Sequence, residues 1–236
     1  MRRFHIIAPV VCAALTLGAC GPTPAAAPSS TSAVAAGATS TTPSVDAAAE
    51  GKAVRAAFDG YKKAALDKDG AAARLLSSSM RGFYDNAKKL ALTGSEVDVV
   101  ASGPSSAVTV YVLRAEIDPA RLRSMSAQDL MTYAVEQGLI GEKSVEKLEV
   151  GEPVVTGDTA KAPVLVQGAD SGMSLDFLKE DGAWRIDLSP LLALADQALA
   201  AVAKQQNLSV EQLIDATLAQ RYGAAAVAGL KHPLEG

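Results

Sequence analysis

Apolar positions recur at helical spacing from Asp46 onward. Val54, Phe58, Tyr61 and Ala65 lie four, three and four residues apart and predict one face of a helix over 46–68. Gly51 and Gly60 weaken that helix, and a turn over 67–70 ends it. Asp69 is placed to cap a second short helix through Arg74, Leu75, Leu76 and Ser79, and a third is expected over 80–92 before Gly94.

The period then shortens to two. Val97 and Val99, a Gly103-Pro104 turn, and Val108, Val110 and Val112 opposite Tyr111 and Leu113 predict a β-hairpin. Ser126 followed by Asp129 has the spacing of a capping box, opening a helix through Leu130, Tyr133 and Ala134 to Gly138. Four strands are expected next, over 145–155, 159–167, 173–179 and 183–188. Turns at Gly157-Asp158, 170–172 and Asp181-Gly182 would make them a meander, with Trp184, Ile186 and Leu188 on one face and Arg185 and Asp187 on the other. Helical spacing returns after Leu188. Ser189 is read as an N-cap with Pro190 at the first helical position, followed by Leu191, Ala195, Ala198 and Val202. A capping box from Ser209 to Gln212 opens a last helix striped by Val210, Leu213, Ile214, Thr217 and Leu218. The expected class is α+β: N-terminal helices on an antiparallel sheet over 46–188, then a C-terminal helical extension over 189–236.

The start of the chain has a different pattern. Arg2 and Arg3 precede an apolar run over 4–19 that is shorter than the roughly 18–20 residues needed to span a bilayer, so it reads as the apolar region of a secretory signal. The run ends in Leu17-Gly18-Ala19-Cys20, which resembles the lipobox of bacterial lipoproteins. That resemblance implies removal of 1–19 and acylation of Cys20, holding the protein to a membrane in the cell envelope. In a Gram-negative host, Gly21 after the cysteine implies the outer membrane. The alternative is an ordinary signal cleaved near an A-x-A site, with Cys20 an unmodified thiol. Residues 21–45 are Ala, Ser, Thr, Pro, Gly and Val without a charge, a composition that cannot bury a core and reads as a disordered tether reaching roughly 28 Å.

Composition narrows the chemistry. Without the signal the chain has 20 basic and 26 acidic residues, a formal charge of −6, which argues against nucleic acid as a partner. Cys12 leaves with the signal and Cys20 is the acylation site, so no disulfide, thiol nucleophile or zinc-thiolate centre is expected. His5 lies in the signal and His232 in the C-terminal tail, so the body has no histidine for a Ser-His-Asp triad or a metal centre. Ser144 to Lys147 spells S-x-x-K without its companion motifs, and Asp67 and Asp69 before Gly70 start a calcium-loop pattern whose later ligands are missing. The mixed-sign run Glu142, Lys143, Glu146, Lys147, Glu149 and Glu152 reads as a solvated face. No cofactor or metal is expected.

The element order resembles the cystatin-like α+β superfamily that includes nuclear transport factor two and ketosteroid isomerase. "AALDKDGAAARLLSSSM" is similar to its first helix junction and "FLKEDGAWRIDL" to its closing hairpin. The resemblance implies a strongly curved sheet closed by helices into a cone whose open end holds an apolar ligand or an active site. Tyr61, Tyr84, Tyr111, Asp176 and Trp184 are the candidates for lining it, and Asp98 and Asp187 are further acids. Isomerase members use a carboxylate base with tyrosine and protonated aspartate donors, but none of these residues aligns with that motif one by one. Tyr61 on an apolar helix face also fits a plain core position, and Asp187 with Arg185 an exposed or cross-strand pair.

The expectation is a membrane-held, non-catalytic module binding a protein partner or a small apolar ligand. A cofactor-free isomerase, dehydratase or hydrolase using a buried carboxylate and a tyrosine is one alternative. An assembly protein docking through its C-terminal helices is the other, although covering the domain's own sheet is the simpler use of those helices.

Overall fold

The computed structural model describes residues 45–140 and 145–235. The expected signal, Cys20, the expected tether up to residue 44 and the S-x-x-K serine lie outside them. Among the described residues no helix is long and apolar enough to cross a membrane. The class is α+β: helices packed on a strongly curved antiparallel half-barrel sheet, followed by C-terminal helices.

Helix α1 (Val45–Leu66) turns Val54, Phe58, Tyr61 and Ala65 inward, all at most 3% exposed, as the spacing predicts. A 3-10 segment (Gly70–Leu75) follows, capped by Asp69, whose carboxylate accepts from the Ala71 N–H at 2.9 Å. Helix α2 (Ser78–Thr93) stops at Gly94.

The expected hairpin over 97–113 is absent. This stretch forms helices α3 (Glu96–Ala101) and α4 (Pro104–Glu116). Ser95 and Asp98 make a reciprocal capping box for α3, and Pro104 opens α4 where its missing N–H costs nothing. The alternating valines misled because α4 is enclosed by α2, α3 and the C-terminal helices, so apolar residues are wanted on nearly every side and the amphipathic signature vanishes. Asp118 caps the short α5 (Pro119–Ser124), and the Ser126–Asp129 box caps α6 (Ala127–Glu136) as read from the sequence.

The sheet consists of β1 (Leu148–Val150), β2 (Val154–Thr156), β3 (Thr159–Val166), β4 (Ala169–Glu180) and β5 (Ala183–Asp187). Its order is β1-β3-β4-β5, with β2 also on β3 and every pairing antiparallel. The single strand expected over 145–155 is thus two, end to end along one neighbour: Leu148 pairs with Val166 and Val154 with Lys161. The break is at Gly151, where a Cβ would lie 2.8 Å from the Pro163 ring while its N–H donates to the Pro163 carbonyl. A register shift next to Pro163 bends β3 at the same level.

The turn expected over 170–172 is also displaced. The chain reverses at Gln167 and Gly168, both at positive φ, and β4 runs through 170–172. There Asp170 accepts from the Gly172 N–H at 2.8 Å and Gly172 has φ 73°, so the turn-like residues mark an irregularity inside a strand. The sheet's far edge is closed by Leu76, which bridges Ile186 in parallel, and by the Ser77 N–H on the Ile186 carbonyl at 2.9 Å.

Helices α7 (Ser189–Gln205), α8 (Val210–Tyr222) and α9 (Ala224–Leu230) complete the chain. Leu188, one residue before the expected Ser189, is the N-cap of α7. The capping oxygen comes from Asp187, which accepts from the Ser189 N–H at 3.1 Å and its hydroxyl at 2.7 Å. The Ser209–Gln212 box holds for α8. All three helices pack on α4, so the extension covers helices where coverage of the sheet was expected, and Ile214, Leu218, Val227 and Leu230 join the main core.

Candidate functional site

The inner face of the sheet is lined by Ala160, Ala162, Leu175, Phe177, Trp184 and Ile186, each at most 5% exposed. Phe58 and Leu76 belong to the same contiguous core. Burial of this kind stabilises by roughly 1.5–3 kcal/mol per large apolar side chain.

Trp184 sits in this layer, and its indole N–H donates to Glu50 of α1 at 2.6 Å. The other Glu50 oxygen accepts from Lys179 at 2.6 Å, and the Lys179 ammonium stands 5.7 Å from the centre of the Trp184 ring. The Lys179 and Trp184 hydrogen bonds hold the Glu50 carboxyl below its ordinary value.

Tyr61 and Tyr84 are core residues at 3% and 5% exposure. Burial pushes the Tyr61 phenol up to about 12 and raises Tyr84 further. Asp176 lies on the outer face, opposite Asp187 in register and bonded to Lys161 at 2.9 Å. Asp98 is exposed, its carboxylate accepting from the Ser95 N–H and hydroxyl, which lower its pKa. Asp187 accepts from the buried Ser77 hydroxyl at 3.1 Å as well as from Ser189. These acids therefore fall in two places, Asp176 and Asp187 as cross-strand neighbours and Asp98 on α3, and all are committed to folding contacts.

Of the five expected lining residues, Tyr111 borders a pocket, which lies outside the sheet's concavity. It opens between α3, α4 and α8 and has a volume of about 80 Å³. Ala107, Tyr111 and Ile214 form the floor, Val100, Pro104 and Val210 the walls, and Glu96, Glu211, Asp215 and Lys231 the rim. Lys231 binds Glu96 at 3.0 Å and Asp215 at 2.8 Å, which raise its pKa above the usual lysine value.

Two charged groups that sequence reasoning passed over hold this region in place. Arg114, 6% exposed, donates to the carbonyls of Ala91 at 3.1 Å, Leu90 at 2.8 Å and Gly94 at 2.6 Å at the end of α2, and to that of Leu230 at 2.8 Å at the end of α9. One guanidinium thus satisfies carbonyls at two helix C-termini, where a positive charge is favoured. Glu116 at the end of α4 accepts from Arg221 and the Tyr222 hydroxyl, both at 2.5 Å, and from the Tyr133 hydroxyl at 3.3 Å. The signal available for both was a charge inside the apolar run around 107–117.

Among the described residues no group of His, Cys, Asp and Glu side chains is arranged to hold a metal ion. Chemically, the tyrosines are suited to donate hydrogen bonds but not to act as phenolates near neutral pH, because every one is shifted upward. Comparison with protein-family models, with curated proteins and with solved structures finds no match to this chain.

Proposed function

We propose that this chain is a lipid-anchored protein of the bacterial cell envelope whose α+β domain works as a non-catalytic interaction module. The anchor rests on Leu17-Gly18-Ala19-Cys20 behind a short basic and apolar leader, followed by an uncharged stretch long enough to lift a domain off the headgroups. The interaction role rests on one structural observation: the inner face of the curved sheet is occupied by core side chains, while an apolar pocket opens on the outside, between helices. Carboxylates that an acid–base mechanism would call on, Asp98, Asp176 and Asp187, are engaged in a helix cap, a cross-strand ion pair and serine hydrogen bonds. Such a domain meets its partner with its surface, and the lipid supplies the local concentration.

Feeding cells a clickable fatty-acid analogue tests the anchor. The intact chain is labelled and stays with the membrane fraction, whereas Cys20→Ala is unlabelled and released. Label retained in Cys20→Ala overturns the reading.

A further inference from the structure

The pocket between α3, α4 and α8 is too small for a drug-sized molecule, whose sites run to roughly 300–1,000 Å³. Its volume of about 80 Å³ suits a single aliphatic side chain. The apolar surface continues beyond it. On α3, Val97 and Val100 lie three residues apart on neighbouring positions of one helix face, and they are 76% and 39% exposed. Val97 is the most exposed large apolar side chain among the described residues. The opposite wall is Val210 on α8, one turn before the floor residue Ile214.

Charge around this groove decides what can fill it. Glu96, Glu211 and Asp215 stand against the single ammonium of Lys231, leaving the rim at −2. Lys231 already binds Glu96 and Asp215, and Glu211 accepts only from the nearby Ser209 hydroxyl among the described residues. A second copy of the chain would bring the same acidic rim against this one, which costs affinity. An anionic lipid surface would be repelled in the same way.

From this geometry we infer that the α3–α8 groove docks a segment of a partner protein in which an aliphatic side chain is flanked by lysine or arginine. The aliphatic group enters the pocket over Tyr111 and Ile214 and the flanking cations meet Glu211 and the outer edge of Glu96. Recognition of this type places an apolar anchor at the centre and charge at the rim. The inference rests on the interaction role proposed above and names the surface and chemistry that carry it.

The test uses the full chain in nanodiscs of neutral phosphatidylcholine, with empty nanodiscs as the blank, and three fluorescent peptides of equal length read by anisotropy. One has leucine flanked by lysines, the second serine in place of that leucine, and the third glutamates in place of the lysines. The first peptide is expected to bind at least tenfold more tightly than either of the others. Its affinity falls at least fivefold in Val97→Lys and in Glu211→Lys, both at exposed positions, and it weakens with salt. Asp158→Lys, which makes the same charge change on an exposed turn of the sheet, leaves it unchanged. Equal binding of all three peptides, no binding above the blank, or an equal loss in Asp158→Lys overturns the inference. Tight binding indifferent to Val97→Lys and Glu211→Lys overturns the groove assignment while leaving an interaction role intact, and the Cys20 labelling reports separately on the anchor.

Discussion

Arg114 is the residue whose removal tests the packing account most sharply. It is buried with no carboxylate partner among the described residues, its charge being spread over four backbone carbonyls from two helix ends. Burial draws its pKa down, partly offset by the charge Tyr111 carries when ionised, and the guanidinium stands 6.0 Å from the centre of the Tyr111 ring. Replacing a buried ion pair on both sides by apolar groups can be neutral, but Arg114→Met leaves all its acceptors behind. Hydrogen bonds to a charged group contribute roughly 1.5–3 kcal/mol each. Four of them, less the several kcal/mol recovered by no longer desolvating a guanidinium, give an expected loss of about 3–5 kcal/mol. That corresponds to a fall in Tm of roughly 6–20 °C for a domain of this size. Urea unfolding followed through Trp184, the only tryptophan and a buried one, measures the change directly. Arg114→Lys keeps the charge but not the fork of donors and should recover only part of the loss. If Arg114→Met unfolds within about 0.5 kcal/mol of the parent, which is the range of neutral surface changes, the two helix ends do not depend on this side chain.

Further outcomes follow from the same contacts. Deleting 207–236 removes four core side chains, the Leu230 acceptor of Arg114 and two donors to Glu116, so the truncated chain should lose at least about 6 kcal/mol yet remain the same oligomer as its parent; a change of oligomeric state at constant melting would place those helices on a partner. All five tyrosines are shifted upward, chiefly by burial, Tyr61 to about 12. Absorbance at phenolate wavelengths should therefore rise around pH 10 in urea and only at higher pH in the folded protein; since a raised folded pKa favours the neutral form, stability is lost as pH climbs from 10 towards 12. Burial alone pushes the Glu180 carboxyl up, but the Ser78 N–H and hydroxyl and Arg81 outweigh it and hold it below the ordinary 4.5. With the folded value the lower one, the unfolded chain takes up the proton first, so stability falls as pH drops through 4.5 and below, and Glu180→Gln should flatten that acid limb in a Tm-against-pH series.

Local rules were legible where an element shows one face to the core and the other to water. Helix α1, the box at Ser126 and the box at Ser209 were readable because each rests on residues within a few positions. The misreading of 97–113 as strands has a tertiary cause: α4 is surrounded, so its valines no longer mark a face. The helix signals there were the Ser95–Asp98 spacing and Pro104, both local and both outweighed by the alternation. Gly151 and Pro163 lay inside strands expected to run unbroken, and their contact, which divides β1 from β2, joins residues brought together only by the sheet. The same distance in sequence hid the site. Arg114 reaches Leu230 across 116 positions and Glu116 reaches Tyr222 across 106, and only folding places Lys231 beside Glu96 over Tyr111.

The central claim, a domain held to the envelope through Cys20, is tested most directly by mass spectrometry of the N-terminal peptide from protein extracted out of membranes. The account predicts a peptide that begins at Cys20 and carries the mass of covalently attached acyl chains. An unmodified Cys20, or a mature terminus on either side of it, would contradict the account.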